Sequence, residues 1–257
     1  MKTIFKKKII SYVYIFCLGI LSSFSLPPYN FFLINFFTFS ALFVFFIKKK
    51  YNLNKLEYFL YGWMFGFGYF TSSLYWITIS LTFDQTFKIL IPIAFLLIPL
   101  FLSIFYGLAT FALYYFKKFS NISLILIFSV TFSISEFLRG NILSGFPWNL
   151  ISFSFSEVLP LVQILSLIGT YSFNLFCLTL FILPSLFYLN KSKHNMYFVF
   201  SFGFILISSV VFGQIKLEQS KDASIKDNNF IIKIISPFWK ILANARFNIV
   251  YFPILFF

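Results

Sequence analysis

Charge is what this sequence has least of. Only 11% of its 257 residues are Asp, Glu, Lys or Arg, against about 25% in soluble globular domains. A chain so poor in charge cannot cover a water-facing surface, which excludes an ordinary soluble domain. Acidic residues are scarcest, seven against 20 Lys and Arg, for a net charge of +13. The two cysteines, Cys17 and Cys177, both lie in apolar runs, so there is neither a disulfide framework nor a metal-ligand spacing. The one histidine, His194, sits in the polar stretch KSKHN and reads as a solvated loop residue. No cofactor or metal is expected, and no internal repeat is visible.

What is present is apolar. Hydrophobic residues make up 60% of the chain and the mean hydropathy is +0.91. The 44 phenylalanines accompany many Lys, Ile and Asn, a composition that AT-rich codons favour, so single phenylalanines carry little site information. Tyr and Trp say more, because their polar tips favour the membrane interface. A spanning helix needs about 20 mostly apolar residues. Segments 9–26, 30–47, 57–82, 89–116, 121–138, 161–189 and 195–213 qualify. The expected fold is all-α: a polytopic membrane bundle of about seven helices over 1–214, with a tail over 215–257. The N-terminus, with its basic start and apolar core, resembles a secretory signal, but the run from Ile9 to Leu26 is long enough to span and reads as a retained first helix.

Basic loop residues mark the cytoplasmic side. With the N-terminus inside, the inner loops hold Lys2, Lys6, Lys7 and Lys8, then Lys48, Lys49, Lys50 and Lys55, then Lys117 and Lys118, then Lys191 and Lys193. Before residue 214 the outer loops hold only Lys88 and Arg139. This asymmetry accounts for most of the positive charge, so no nucleic-acid partner is expected. It places the N-terminus in the cytoplasm and the tail outside.

Chemistry concentrates in SEFLRGNILSGFPWNL, Ser135 to Leu150. Glu136 and Arg139 are three apart and share a helical face. Two readings stand: the pair sits at the headgroup level, where charge is cheap, or it works. In the second, Arg139 meets a lipid phosphate or fixes the next loop through backbone carbonyls, since its planar fork suits oxygen acceptors. Pro147 sets its own φ and pushes Phe146 out of helical geometry, so Gly145-Phe146-Pro147-Trp148 forms a turn displaying two aromatics. Upstream, YGWMFGFGYFTSSLYWITIS spaces Gly62 and Gly66 four apart, with Gly68 nearby, a pattern that lets helices approach closely in lipid. Tyr75 and Trp76 close that run as interface anchors or as lining of a lipid pocket. The candidate lipid-side residues are therefore Tyr75, Trp76, Arg139, Gly145, Phe146, Pro147 and Trp148.

These residues resemble the apolipoprotein N-acyltransferase family. EFLRGNILSGFPWNL is similar to its E-W-L-R-G…T-G-F-P-W segment, with Glu136, Leu138, Arg139, Gly140, Gly145, Phe146, Pro147 and Trp148 matching. GFGYFTSSLYWITIS resembles the family's run into Trp-Ile, LPPYN its first outer loop, and Gln163, Gly169 and Tyr171 its Q-x-x-x-x-x-G-x-Y pattern. The resemblance implies a multi-pass protein of the bacterial inner membrane. Its partners would be membrane phospholipid and a lipoprotein N-terminus. It also implies a periplasmic nitrilase-like domain with a Glu-Lys-Cys triad, whose Cys takes an acyl chain from phospholipid as a thioester and passes it to the amine of diacylglyceryl-cysteine.

The sequence departs from that pattern at its end. FIIKIISP, with Phe230 to Ser236 as a first strand, looks like the start of the nitrilase-like domain. Twenty-one residues follow Ser236, against about 100 for an α/β domain, and no cysteine follows Cys177. No catalytic residue is assigned. The expectation is a truncated or frameshifted, catalytically incomplete acyltransferase. The alternatives are a lipid-binding subunit completed in trans by a separate nitrilase-like domain, or an unrelated transporter. Broken helices, midplane charges or repeats would favour the transporter.

Overall fold

The computed structural model describes residues 2–142, 145–189 and 192–226. The strand read at Phe230–Ser236 and the segment 237–257 lie outside these residues. Every regular element among the described residues is helical. The chain divides into two units, Met1–Leu217 and Glu218–Phe257. In the second, only the end of one helix, to Lys226, is described.

The long helices are α1 (Lys2–Ser23), α2 (Leu33–Lys49), α3 (Lys55–Ser73), α5 (Ile91–Leu113), α6 (Asn121–Asn141), α8 (Leu165–Ile182) and α10 (Lys193–Lys226). Short helices α4 (Trp76–Ser80), α7 (Leu159–Val162) and α9 (Pro184–Leu189) sit at turns between them. Four stretches are long and apolar enough to cross a membrane: Gln85–Phe116, Asn121–Asn141, Leu165–Leu189 and Lys193–Gln219. The first three long helices fall outside that set. Lysines crowd the start of α1, α2 has only 17 residues, and α3 is rich in Tyr and Gly. Two segments read as single spans are interrupted. The 57–82 run breaks after Ser73, and the 161–189 run breaks at Gly169, whose φ of 75° is left-handed.

Helix starts follow local chemistry. Asn54 opens α3 with a capping box: its side chain accepts from the Glu57 N–H, and the Glu57 carboxylate accepts from the Asn54 N–H. Ser120 caps α6 by accepting from the Ser123 N–H. Each satisfies backbone donors that a helix start leaves orphaned.

In lipid the tails are as apolar as leucine, so close packing and interhelical hydrogen bonds hold helices together. The glycines of α3 serve that packing on two sides. A Cβ on Gly68 would lie 2.2 Å from the Phe16 carbonyl oxygen, and one on Gly19 would lie 2.0 Å from the Phe65 carbonyl oxygen. Gly62 faces Thr110 and Tyr106 of α5. The Thr110 hydroxyl donates to the Tyr58 carbonyl at 2.7 Å, and the Trp63 indole N–H donates to the Leu100 carbonyl at 3.0 Å. Between these helices and α2, α6 and α8 lies a buried aromatic core. Phe39 meets Phe65 and Phe132 edge-on, and Phe128 stacks on Phe132 at 4.4 Å.

Candidate functional site

The last turns of α6 point Glu136 and Arg139 into the protein. Both are essentially fully buried, at 0% and 1% exposure. Neighbouring helices, not water, therefore surround the pair. The Tyr106 hydroxyl, from α5, donates to Glu136 Oε1 at 2.7 Å. The Asn174 amide, from α8, donates to Glu136 Oε2. The other end of that amide, Oδ1, accepts from the Ser152 N–H at 2.9 Å. A buried carboxylate is tolerable only when paired and hydrogen-bonded, and three segments supply what it needs.

Arg139 turns the other way. Its Nη1 donates to the carbonyls of Phe146 and Trp148, each at 2.7 Å. The Phe146 N–H donates back to the Arg139 carbonyl at 2.9 Å. The guanidinium lies 5.1 Å from the centre of the Phe70 ring, and its Nη2 is 3.7 Å from Glu136 Oε1, an ion pair without hydrogen-bond contact. Nε and Nη2 have no hydrogen-bond partner. Of the two roles weighed for Arg139, fixing the following loop through carbonyls is seen directly.

That loop is shaped by positive φ at both ends, 70° at Gly145 and 57° at Asn149. A side chain at Gly145 would also meet the Gly140 carbonyl oxygen at 2.5 Å, so two independent constraints select glycine there. Asn149 is tied across: its carbonyl accepts from the Tyr69 hydroxyl at 3.0 Å, and its amide donates to the Ser73 carbonyl. Gly140 leaves room for the Tyr171 hydroxyl, which would sit 2.2 Å from a Cβ there.

The candidate residues divide between two places. Trp76 and Trp148 stack with centroids 5.1 Å apart, and Phe146 stacks on Trp148 at 6.1 Å. Tyr75 is exposed beside Trp76 at the start of α4, and Pro147 is exposed at the tip of the turn. Behind the loop lies an apolar cavity of about 380 Å³. Leu97, Ile98, Phe101 and Phe105 of α5 form one wall, Ile77 and Phe146 close it, and Arg139 and Gly145 also line it. Arg139 lines this cavity, but its unpartnered Nε and Nη2 are themselves enclosed, so what the cavity offers is a mainly apolar wall that suits hydrocarbon.

Tyr69, Tyr106 and Asn174 were not among the candidates. Asn174 carried a signal, a polar amide inside the apolar run NLFCLTLF. Tyr106 carried none beyond being a tyrosine in mid-helix. Cys177 is fully buried in α8. Among the described residues no group of three His, Cys, Asp or Glu side chains could hold a metal ion.

Comparison with known proteins gives the family. Residues 18–183 match the family described as apolipoprotein N-acyltransferase N-terminal domain. The apolipoprotein N-acyltransferase of Rhodopseudomonas palustris is 35% identical over 191 residues, covering 73% of this chain and 34% of that protein. That of Rickettsia typhi is 38% identical over 173 residues, 66% of this chain and 32% of the relative. That of Allorhizobium ampelinum is 31% identical over 176 residues, covering 65% and 33%. The chain thus spans about a third of the length of these relatives. With the GFPW loop, its arginine strap and the helices that carry them all inside the matched region, the chain belongs to the apolipoprotein N-acyltransferase N-terminal domain family.

Proposed function

We propose that this chain forms the membrane-embedded, lipid-holding part of an apolipoprotein N-acyltransferase. In that reaction an acyl chain passes from phospholipid to the N-terminal amine of a diacylglyceryl-cysteine lipoprotein. The observation that carries this reading is Arg139. It is buried, strapped to the GFPW loop, and keeps two nitrogens without hydrogen-bond partners beside an apolar cavity. Arg139, Gly145, Phe146, Pro147, Trp148, Tyr75 and Trp76 form the lipid side of the site. A phosphate or ester oxygen sits against the guanidinium, and the α5 wall takes the acyl chain.

In this reading α1, α2 and α3 also span, giving seven crossings with the N-terminus in the cytoplasm and residues after the last span in the periplasm. The support is the clustering of lysines at one set of helix ends. A nitrilase-like domain, on a longer form of the chain or on a separate one, supplies the Glu-Lys-Cys chemistry. Cys177 cannot serve, because it is sealed inside the bundle.

Two measurements test the proposal. Complementation of an N-acyltransferase-depleted strain should require this chain together with a nitrilase-like domain. Rescue by the domain alone would remove any role for the bundle. Orientation is read in a C17A/C177A background with Tyr51→Cys and a membrane-impermeant maleimide. Labelling only after permeabilisation is expected, and labelling of intact cells sinks the topology.

A further inference from the structure

The end of the bundle opposite the GFPW loop carries a second concentration of chemistry that acyl transfer does not use. Lys6 to Lys8 begin α1, Lys48 to Lys50 close α2, Lys55 opens α3, and Lys117 and Lys118 follow α5. Contacts tie these ends together. Lys49 Nζ donates to Ser11 Oγ of α1 at 2.9 Å, and Lys48 Nζ donates to the Tyr188 hydroxyl of α9 and lies 4.3 Å from that ring's centre. The Tyr58 and Tyr114 rings join the start of α3 to the end of α5.

The carboxylate among these helix ends is Glu57, and Lys8 takes it at 2.7 Å. The Lys48–Lys50 turn is held instead by neutral groups. Besides the contacts above, Lys49 lies over the Phe45 ring and Lys50 over the Tyr51 ring. Lys48 and Lys49 stand in the last turn of α2, where cations offset the helix dipole, but that need amounts to about half a charge. Lys49 is also half-buried.

We infer that the Lys48-Lys49-Lys50 turn, with Tyr188 and Ser11 beside it, binds the phosphate of an anionic phospholipid head group in the leaflet at this end. The occupant follows from charge and depth. Three ammoniums share the field of one carboxylate, Glu57, which Lys8 already holds, so a further anion is favoured there; they sit within one turn of helix ends, flanked by Tyr51 and Tyr188, at the level where lipid phosphates lie. The inference rests on the embedding of α1 to α3 proposed above, which the Tyr51→Cys labelling reports separately.

The test uses the detergent-solubilised full chain, titrated with dioleoyl phosphatidylglycerol or dioleoyl phosphatidylethanolamine and read by native mass spectrometry. Each lysine near a head group is worth roughly fivefold. Phosphatidylglycerol should therefore be retained over phosphatidylethanolamine by on the order of tenfold or more. K48Q/K49Q/K50Q should erase that preference. K48R/K49R/K50R should keep it, and K88Q/K216Q should not change it. Equal retention of the two lipids, or a preference surviving the glutamine triple variant in a chain whose unfolding temperature is unchanged, overturns the inference. So does displacement of phosphatidylglycerol by millimolar inorganic phosphate, which would mark a free-anion site.

Discussion

Replacing Glu136 by glutamine should be among the most damaging changes in the bundle, although it alters the side chain's shape very little. Three donors converge on Glu136: the Tyr106 hydroxyl, the Asn174 amide and, 3.7 Å away, the Arg139 guanidinium. Glutamine offers one acceptor oxygen and two N–H groups. The Tyr106 hydroxyl can reverse. The Asn174 amide cannot flip without losing the Ser152 N–H that its Oδ1 accepts. At least one buried donor is left facing another, and Arg139 loses its counter-charge. Breaking a buried ion pair from one side costs about 3–5 kcal/mol. Arg139→Met should cost a similar amount, since Glu136 keeps two donors while the loop loses both of its carbonyl straps. The double variant should fall short of the sum by about 1–3 kcal/mol, because the two penalties share a cause. Reversible SDS unfolding of the purified chain, run as a double-mutant cycle, measures the coupling. Additivity within about 0.5 kcal/mol would show that the 3.7 Å pair carries no energetic link.

Other substitutions separate backbone constraint from packing. Gly145→Ala should cost about 1–3 kcal/mol, from positive φ and the 2.5 Å approach of the Gly140 carbonyl oxygen. It should also move the Trp148 fluorescence, because the Trp76 stack depends on the loop. Gly68→Ala should destabilise by about 1–3 kcal/mol in the same unfolding assay, since its Cβ would meet the α1 backbone at 2.2 Å. Gly203→Ala provides the contrast. It lies in a helix with nothing within 4 Å, so alanine should be neutral or should stabilise by about 0.5–1 kcal/mol. Equal losses at positions 68 and 203 would refute close packing of α1 on α3.

Much of the architecture was legible because lipid imposes simple rules. Apolar runs of about 20 residues must be helical, since no water satisfies the backbone, and α5, α6 and α10 begin close to where hydropathy begins. The interruptions were less visible. Gly169 sits in an unbroken apolar run, and a left-handed glycine leaves no mark on hydropathy. Spacing also showed that Glu136 and Arg139 share a face, but three residues of separation do not say which way a face points. Burial was decided by Tyr106, 30 residues earlier, and Asn174, 38 residues later. No local pattern encodes such distant partners. Broken helices were expected of a transporter, yet here the interruption after Ser73 leads into the short helix that carries Trp76 to Trp148.

The two ends of the bundle solve opposite problems with the same residue class. At the α2 end the cations outnumber carboxylates and rest on aromatic rings and hydroxyls, so their charge remains available to whatever lies outside. At the α6 end one cation is taken inside and given two carbonyls, a ring and a distant carboxylate. Lysine fits the first setting as a compact ammonium on a flexible stem, and arginine the second, because its planar fork can strap a loop with one nitrogen and still present others. Arg139→Lys should therefore fail to replace arginine despite keeping the charge. An ammonium placed to reach the Phe146 and Trp148 carbonyls, as Nη1 does, leaves no second nitrogen to stand 3.7 Å from Glu136. Loss of loop order and of lipid retention in Arg139→Lys, with the Lys48–Lys50 preference for phosphatidylglycerol intact, would separate the two ends as independent lipid contacts.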